Sequence, residues 1–375
     1  MLRILFTGGG SGGHIYPIVA IAKELQVISK NENIPLKLLF IGSSDFDREA
    51  LAKEGMEVYS LPAGKIRRYP SLLFPLDAWK TLVGFFYSFF LLWWFLPNVI
   101  FSKGGYGSFA IAIVGRLYLI PLLVHESDYQ PGLVNRMLGK IATKVVVSFP
   151  GSVEFFNPKK TVFIGNPVRK ELKTGTLEEA KALFKLKGDK PIVLILGGSQ
   201  GATRINKLIG ESLHFLLLRY EIIHQCGRAN VESFKSDLST IYNIDANALP
   251  YYHLKGFFDE REQASALAAA NFIISRAGAG SIYEIALAAK PALLIPLSES
   301  AGDHQRKNAF YYARIGAAAV VEQANLTPHI LLNEIANILD NPEKIEKMVK
   351  AAQEFAKPDA AEKIARGLLE LAKNR

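Results

Sequence analysis

His14 ends the stretch Thr7-Gly8-Gly9-Gly10-Ser11-Gly12-Gly13-His14, where an apolar run, Ile4 to Phe6, gives way to an apolar-periodic helix. Five glycines between Gly8 and Gly13 let the backbone pass under a group too bulky for a Cβ. The amides of Ser11, Gly12, Gly13 and His14 open the helix, and an exposed helix N-terminus offers an anion free N–H donors and the positive end of the helix dipole. A phosphate suits those donors. The same positive end disfavours imidazolium, which favours a neutral His14 ring able to accept a proton; His14 is the candidate general base.

A second constellation lies at Ser275-Arg276-Ala277-Gly278-Ala279-Gly280-Ser281-Ile282-Tyr283-Glu284. Small residues after an apolar strand, Phe272 to Ser275, again open a helix and again provide an anion site. Glu284, one turn inside, can accept from both hydroxyls of a ribose. Ser281-x-x-Glu284 also fits a capping box, and both readings stand. Downstream, in Gly302-Asp303-His304-Gln305-Arg306, Gln305 can donate to and accept from a sugar hydroxyl, whereas His304 reads as a solvated loop residue.

What must position these groups is a pair of strand-helix repeats. Residues 1–165 read as strands at 2–7, 36–41, 57–61, 98–102, 120–124, 144–148 and 161–164, with helices at 14–29 and 45–54, an alternation that predicts a parallel, doubly wound sheet. Gly165-Asn166-Pro167 marks the boundary between a first domain, 1–165, and a second, 166–375. In the second, Ile192 to Leu196 runs into Gly197-Gly198-Ser199-Gln200-Gly201-Ala202 and a helix to about Tyr220, an echo of the opening; a further strand is expected over 292–297. The expected fold is α/β, two Rossmann-like domains facing a cleft. Helices are expected at 342–356 and 358–373, the last packing back towards the first domain. Gly8, Gly10 and Gly13 fit G-x-G-x-x-G, yet the second strand ends in Gly42 instead of the acid a dinucleotide ribose wants; Asp45 and Asp47 read as a helix cap, so NAD is discounted.

With 375 residues, 49% hydrophobic and 21% charged, the chain can bury two cores. One cysteine, Cys226, excludes an internal disulfide framework and a cysteine zinc cluster, and fits a reducing compartment. Leu2 to Phe6, broken by Arg3, leaves no room for a signal-peptide core, so a cytoplasmic protein is expected. Net charge is +9; residues 1–165 carry 17 Lys+Arg against 11 Asp+Glu, which favours an anionic partner for the first half. No basic run interleaves with aromatics at a nucleic-acid motif, so no nucleic-acid partner is expected.

The fifteen uncharged residues from Leu82 to Leu96 include Phe85, Phe86, Phe89, Phe90, Trp93, Trp94 and Phe95. This run falls short of the roughly 20 residues a spanning helix needs and is stopped by Pro97. A buried helix of the outer layer needs only one apolar face. With Lys65, Arg67 and Arg68 just upstream, the preferred reading is an in-plane membrane contact through Phe85, Phe89 and Trp93 with a basic rim on anionic lipid.

Taken together, Gly9-Gly10-Ser11-Gly12-Gly13-His14, His125-Glu126-Ser127, Gly165-Asn166-Pro167-Val168-Arg169, Gly197-Gly198-Ser199-Gln200-Gly201-Ala202, Ser275-Arg276-Ala277-Gly278 with Glu284, and His304-Gln305 resemble the MurG family of peptidoglycan glycosyltransferases over nearly the whole chain. The resemblance implies the GT-B fold and inverting transfer of N-acetylglucosamine from UDP-N-acetylglucosamine to undecaprenyl-pyrophosphoryl-N-acetylmuramoyl-pentapeptide, with no metal and no cofactor. It implies a peripheral place on the cytoplasmic face of the plasma membrane, with a cell-wall synthesis complex as a candidate partner. It assigns Ser11, Gly12 and Gly13 to the cleft floor, Arg169 and Ser199 to the UDP phosphates, the Phe258 backbone to uracil, and Ala279, Gly280 and Ser281 to the phosphate and sugar end. Glu284 goes to the ribose diol, Gln305 to the sugar hydroxyls, Asp128 to the donor sugar, and His14 to the base. Three positions depart from the family pattern: Ser11 stands for threonine, Phe258 for an aliphatic residue, and Asp128 for an asparagine, replacing an amide by an acceptor-only carboxylate. The rival readings are another GT-B member, such as a glycolipid synthase or a nonhydrolysing UDP-sugar epimerase, and a UDP-sugar-binding or membrane-docking subunit whose partner supplies the base; an epimerase needs no apolar surface at 72–96, and such a subunit needs no base at His14.

Overall fold

Successive strand residues point to opposite faces, so a strand buried on both must be apolar throughout. In the computed structural model, which describes residues 1–9, 12–43, 48–64, 74–198, 201–242, 244–298 and 301–374, the first strand does this: Ile4 and Phe6 join one apolar cluster and Leu5 another. The first unit runs β1 (Leu2–Gly8), α1 (Gly12–Asn31), β2 (Leu36–Gly42), α2 (Arg48–Lys53), β3 (Glu57–Ser60), α3 (Phe74–Phe95), β4 (Val99–Ser102), α4 (Phe109–Leu117), β5 (Leu122–Glu126), α5 (Leu133–Ile141), β6 (Lys144–Val147) and β7 (Thr161–Phe163). Its strands are all parallel, in the order β3-β2-β1-β4-β5-β6-β7.

The second unit repeats the plan with α6 (Leu177–Phe184), β8 (Ile192–Leu196), α7 (Thr203–Arg219), β9 (Glu221–Gln225), α8 (Val231–Thr240), β10 (Tyr252–Lys255), α9 (Glu260–Ala269), β11 (Phe272–Ser275), α10 (Ala279–Ala288), β12 (Ala292–Leu294), α11 (His304–Arg314), β13 (Ala319–Val320), α12 (Pro328–Leu339) and α13 (Pro342–Phe355). Its order, β10-β9-β8-β11-β12-β13, is again wholly parallel. In both sheets the winding reverses beside the first strand, between β1 and β4 and between β8 and β11, and ligands of doubly wound sheets gather at the carboxyl ends of strands at that switch point.

The chain divides after Arg169 instead of at 165, and residues 357–375 belong to the first unit. Helix α14 (Ala360–Lys373) explains the return: Ile364, Ala365, Leu368, Leu369 and Ala372 form one buried stripe in the same cluster as Ile4, Phe6 and the inner face of α1. Arg366 joins this helix to α1 by an ion pair with Glu32 at 3.1 Å. Two elements are shorter than their sequence suggests. The strand expected over 292–297 ends at Leu294, and α2 starts at Arg48, with the Asp45 and Asp47 cap outside the described residues.

Candidate active site

α1 opens directly after β1, so His14 sits in the first turn of a helix at the sheet's switch point. Its Nδ1 lies 2.7 Å from the Gly9 carbonyl oxygen. A carbonyl only accepts, so in the neutral ring the proton resides on Nδ1 and the lone pair on Nε2. The loop after β4 closes over this turn. Gly105 has φ +80°, and a Cβ there would come 2.9 Å from Gly9 Cα and 3.3 Å from His14 Cε1. Two backbones therefore touch where any side chain would displace the imidazole. Gly12 and Gly13 form the start of α1; Ser11 lies outside the described residues.

Next to this turn is a buried ionic group that the sequence reading passes over. Lys103, 2% exposed, continues β4; its Nζ donates to Ser127 Oγ, and that hydroxyl donates to Asn166 Oδ1 at 3.2 Å. Burial pushes Lys103 down to about 8, against the opposing pull of Glu126 and then Asp128. Glu126 is buried at the end of β5 and accepts from the amide of Asp128 (2.9 Å), the amide of Gly132 (3.1 Å) and Asn135 Nδ2 (2.9 Å). Burial, then the charge of Asp128, raises its carboxyl above the usual range. His125, on the opposite face of β5, donates from Nε2 to the Gly165 carbonyl at 3.3 Å, and burial, then the Lys103 charge, holds it well below an ordinary histidine. The motifs His125-Glu126-Ser127 and Gly165-Asn166-Pro167 are thus one hydrogen-bonded structure. Arg169 closes the same segment, its guanidinium 4.6 Å from the ring centre of Tyr16 on α1, so this residue belongs to the first unit.

In the second unit, the glycine turn after β8 is shaped for close approach. Gly201 has φ +77°, and a Cβ there would meet the Cys226 carbonyl at 2.4 Å. Ser199 lies outside the described residues. The capping-box reading of Ser281 and Glu284 is corrected: the N-cap of α10 is Gly278, in extended conformation, so Ser281 is the third helical residue, and among the described residues no side-chain cap hydrogen bond is made at the N-cap. The amides of Ala279, Gly280 and Ser281 are thereby left in the arrangement that holds an anion. Arg276 precedes this turn and donates to the Ile295 carbonyl at 3.2 Å; burial, then the like charge of Arg204, pushes it down to about 10. The Arg276 guanidinium held before this helix start is a second reason for an anion there.

Glu284 Oε2 accepts from Gln263 Nε2 at 2.7 Å, which orients the carboxylate from α9. Gln305 Oε1 accepts from the Leu297 amide at 3.0 Å, so its amide oxygen holds the loop after β12. Asn308, three residues on along α11, donates to the Ala277 carbonyl at 3.3 Å and ties that helix to the α10 turn. The Phe258 ring is 2% exposed and packs edge-on against Phe184 at 5.5 Å; it is core, and only its backbone is available to a base. Gln263 and Arg204 carry no sequence signal, because their partners lie far along the chain. Lys103-Gly104-Gly105 after an apolar strand was a legible one. Among the described residues no group of three or more histidine, cysteine, aspartate or glutamate side chains gathers for a metal.

α3 packs by one stripe, Gly84, Ser88, Leu92 and Phe95, against α4 and the sheet. Phe85 turns partly inward, edge-on to Phe109 at 6.0 Å. Phe90 and Trp93 are 72% and 70% exposed, and Phe89 meets Tyr118 at 5.9 Å, so the apolar face runs on into the exposed Leu117 and Leu119. The helix is long and apolar enough to cross a membrane by length and composition. Lys65, Arg67 and Arg68 lie outside the described residues.

The N-terminal domain model of glycosyltransferase family 28 matches residues 4–147, and the family's C-terminal domain model matches 192–364. With two parallel α/β units, each opening on a glycine turn and a helix, these matches define a two-domain UDP-sugar glycosyltransferase of the GT-B fold. The UDP-N-acetylglucosamine--N-acetylmuramyl-(pentapeptide) pyrophosphoryl-undecaprenol N-acetylglucosamine transferase of Clostridium tetani is 35% identical over 351 residues, 93% of each chain. That of Treponema denticola is 32% identical, over 95% of this chain and 94% of its own. The crystal structure of MurG from Acinetobacter baumannii superposes with a TM-score of 0.74 at 26% identity, covering 99% of this chain and 100% of that one. The chain belongs to this MurG family of N-acetylglucosamine transferases. A UDP-GlcNAc 2-epimerase from Neisseria meningitidis, with a TM-score of 0.68 at 17% identity over 98% of this chain and 100% of its own, shares the fold.

Proposed function

We propose that this chain moves N-acetylglucosamine from UDP-N-acetylglucosamine, with inversion, to the 4-hydroxyl of N-acetylmuramoyl-pentapeptide carried on undecaprenyl pyrophosphate, turning lipid I into lipid II in peptidoglycan synthesis. The observation that carries the chemistry is His14 in the first turn of α1 with Nδ1 committed to the Gly9 carbonyl, which makes Nε2 the basic nitrogen. The acceptor hydroxyl gives its proton to Nε2 as its oxygen bonds to the anomeric carbon, and the bond from that carbon to the phosphate oxygen breaks with its electron pair leaving on UDP. Charge gathers on the leaving pyrophosphate. The amides of Ala279 to Ser281, with Arg276 just before them, are the second unit's groups suited to that charge, and Arg169 is the first unit's. Glu284, oriented by Gln263, takes the ribose diol, and the donor end of Gln305 takes a sugar hydroxyl.

An acceptor with a polyprenyl tail stays in the bilayer, because each methylene moved into water costs about 0.8 kcal/mol. The exposed aromatic face of α3 supports peripheral docking on the cytoplasmic leaflet, lying in the interface with its other face held on the sheet. Incubation with labelled UDP-N-acetylglucosamine and lipid I tests the reading: label appears in a lipid product if it holds, and as free sugar or epimerised nucleotide sugar if it fails.

A further inference from the structure

We infer that Lys103 is the buried counter-ion of the Glu126 and Asp128 carboxylates, and that through them it positions the 126–132 loop of the candidate active site. Glu126 receives three donors, from the loop's start at Asp128, from its end at Gly132 and from Asn135 on α5. An ionised carboxylate accepts all three. A protonated one loses an acceptor site and turns an O–H towards donors, so the loop depends on the charged form. Against that form stand full burial and the neighbouring Asp128 carboxylate.

A nearby cation relieves both, and the Lys103 head group, hydrogen-bonded to Ser127 between the two carboxylates in sequence, supplies one. It is anchored through Ser127 Oγ to Asn166, so its head group is held in place from the segment that ends in Arg169. The other titratable groups around it are His125, which stays neutral, and His14 on α1, which borders Gly8 from the other side. A buried charge left without its partner is the costly state, whereas removing both partners is tolerated. The loop's part in sugar transfer rests on the proposed reaction; the charge pairing does not.

The test is a double-mutant cycle of Lys103→Met and Asp128→Asn, read by thermal unfolding at pH 5.5 and pH 7.5 and by transfer kinetics. Losing the Lys103 charge raises Glu126 further above its unfolded value. Stability from such a group is present at low pH and lost as pH rises, so the unfolding midpoint of Lys103→Met should fall further below wild type at pH 7.5 than at pH 5.5. Asp128→Asn removes the like charge but leaves Glu126 buried, so the double variant should recover part of the midpoint and show a weaker pH dependence than Lys103→Met alone. In kcat/KM, Lys103→Met should cost about 10- to 100-fold in the wild-type background and clearly less beside Asn at 128. Additive effects, or a midpoint deficit independent of pH, would overturn the inference. Should Lys103→Met not fold, Lys103→Gln, which keeps a donor for Ser127, carries the same cycle. If wild type shows no transfer, the reaction reading fails while the unfolding cycle still decides the pairing.

Discussion

His14 and Gly9 are bound to each other across one turn of glycine-rich backbone, imidazole Nδ1 to carbonyl oxygen at 2.7 Å, and Gly105 lies against both. The orientation of the proposed base is therefore set by main chain, through a contact that only glycine permits.

Gly105→Ala should misplace the ring without removing it. The new Cβ would meet Gly9 Cα at 2.9 Å and His14 Cε1 at 3.3 Å, at a backbone with φ +80°. Displacement of a reacting group by about 1 Å costs on the order of 100-fold in turnover. Steady-state kinetics should show that loss in kcat, with UDP affinity unchanged in calorimetry. Wild-type kcat would mean that the imidazole position is not what limits the reaction.

Glu284→Gln keeps an acceptor for Gln263 but gives up the carboxylate proposed for the ribose diol. Titration calorimetry with UDP should show a loss of roughly 1–3 kcal/mol, the range for hydrogen bonds to a charged group, with little change in the unfolding midpoint. Equal affinity would remove Glu284 from nucleotide binding.

Acid should destabilise the protein through its buried histidines. His224 donates from Nε2 to Asn206 Oδ1 at 3.2 Å and accepts the Tyr252 hydroxyl at Nδ1 at 2.7 Å; burial pushes it down to about 3. Burial, with the Lys103 charge, lowers His125 as well. Unfolding restores both to near 6.5, so the unfolded chain binds the extra protons first. The histidines' contribution to stability is complete above about pH 6.5 and falls below it by up to about 1.4 kcal/mol per pH unit per histidine. Midpoints measured from pH 7.5 to 4.5 should drop accordingly, and less steeply for His224→Gln. A flat profile in wild type would contradict the assignment of neutral buried rings.

Replacing Phe90 and Trp93 by serine should reduce sedimentation with anionic vesicles while the unfolding midpoint stays near wild type, since both rings project away from the core. Salt should weaken binding to anionic more than to neutral vesicles. Undiminished vesicle binding by the double variant would move the docking surface elsewhere.

The repeat of strand, glycine turn and helix was legible because parallel strands buried on both faces must be apolar runs, and Ile192–Leu196 and Phe272–Ser275 are bounded as read. The position of α14 in the first unit follows from its apolar stripe, but which core that stripe joins depends on complementarity, which the one-dimensional pattern does not carry. At the site, His14 and Glu284 stood out because glycines and a helix start announce them. Ser281 misled as a cap, since Ser-x-x-Glu fits a helix beginning at Ser281 as well as one beginning three residues earlier at Gly278. Arg204 and Gln263 were missed because their meaning lies in residues 21 or more positions away, met only through the fold, whereas Lys103 was passed over although two glycines follow it after an apolar strand.

The most direct test of the account is single-turnover transfer of labelled N-acetylglucosamine from UDP to lipid I by wild type and His14→Ala, with both substrates saturating. A general base contributes about 100- to 10,000-fold, so His14→Ala should slow the chemical step by that much while binding UDP as tightly as wild type. A rate within about tenfold of wild type would remove His14 from the role of base, and with it the mechanism proposed for this chain.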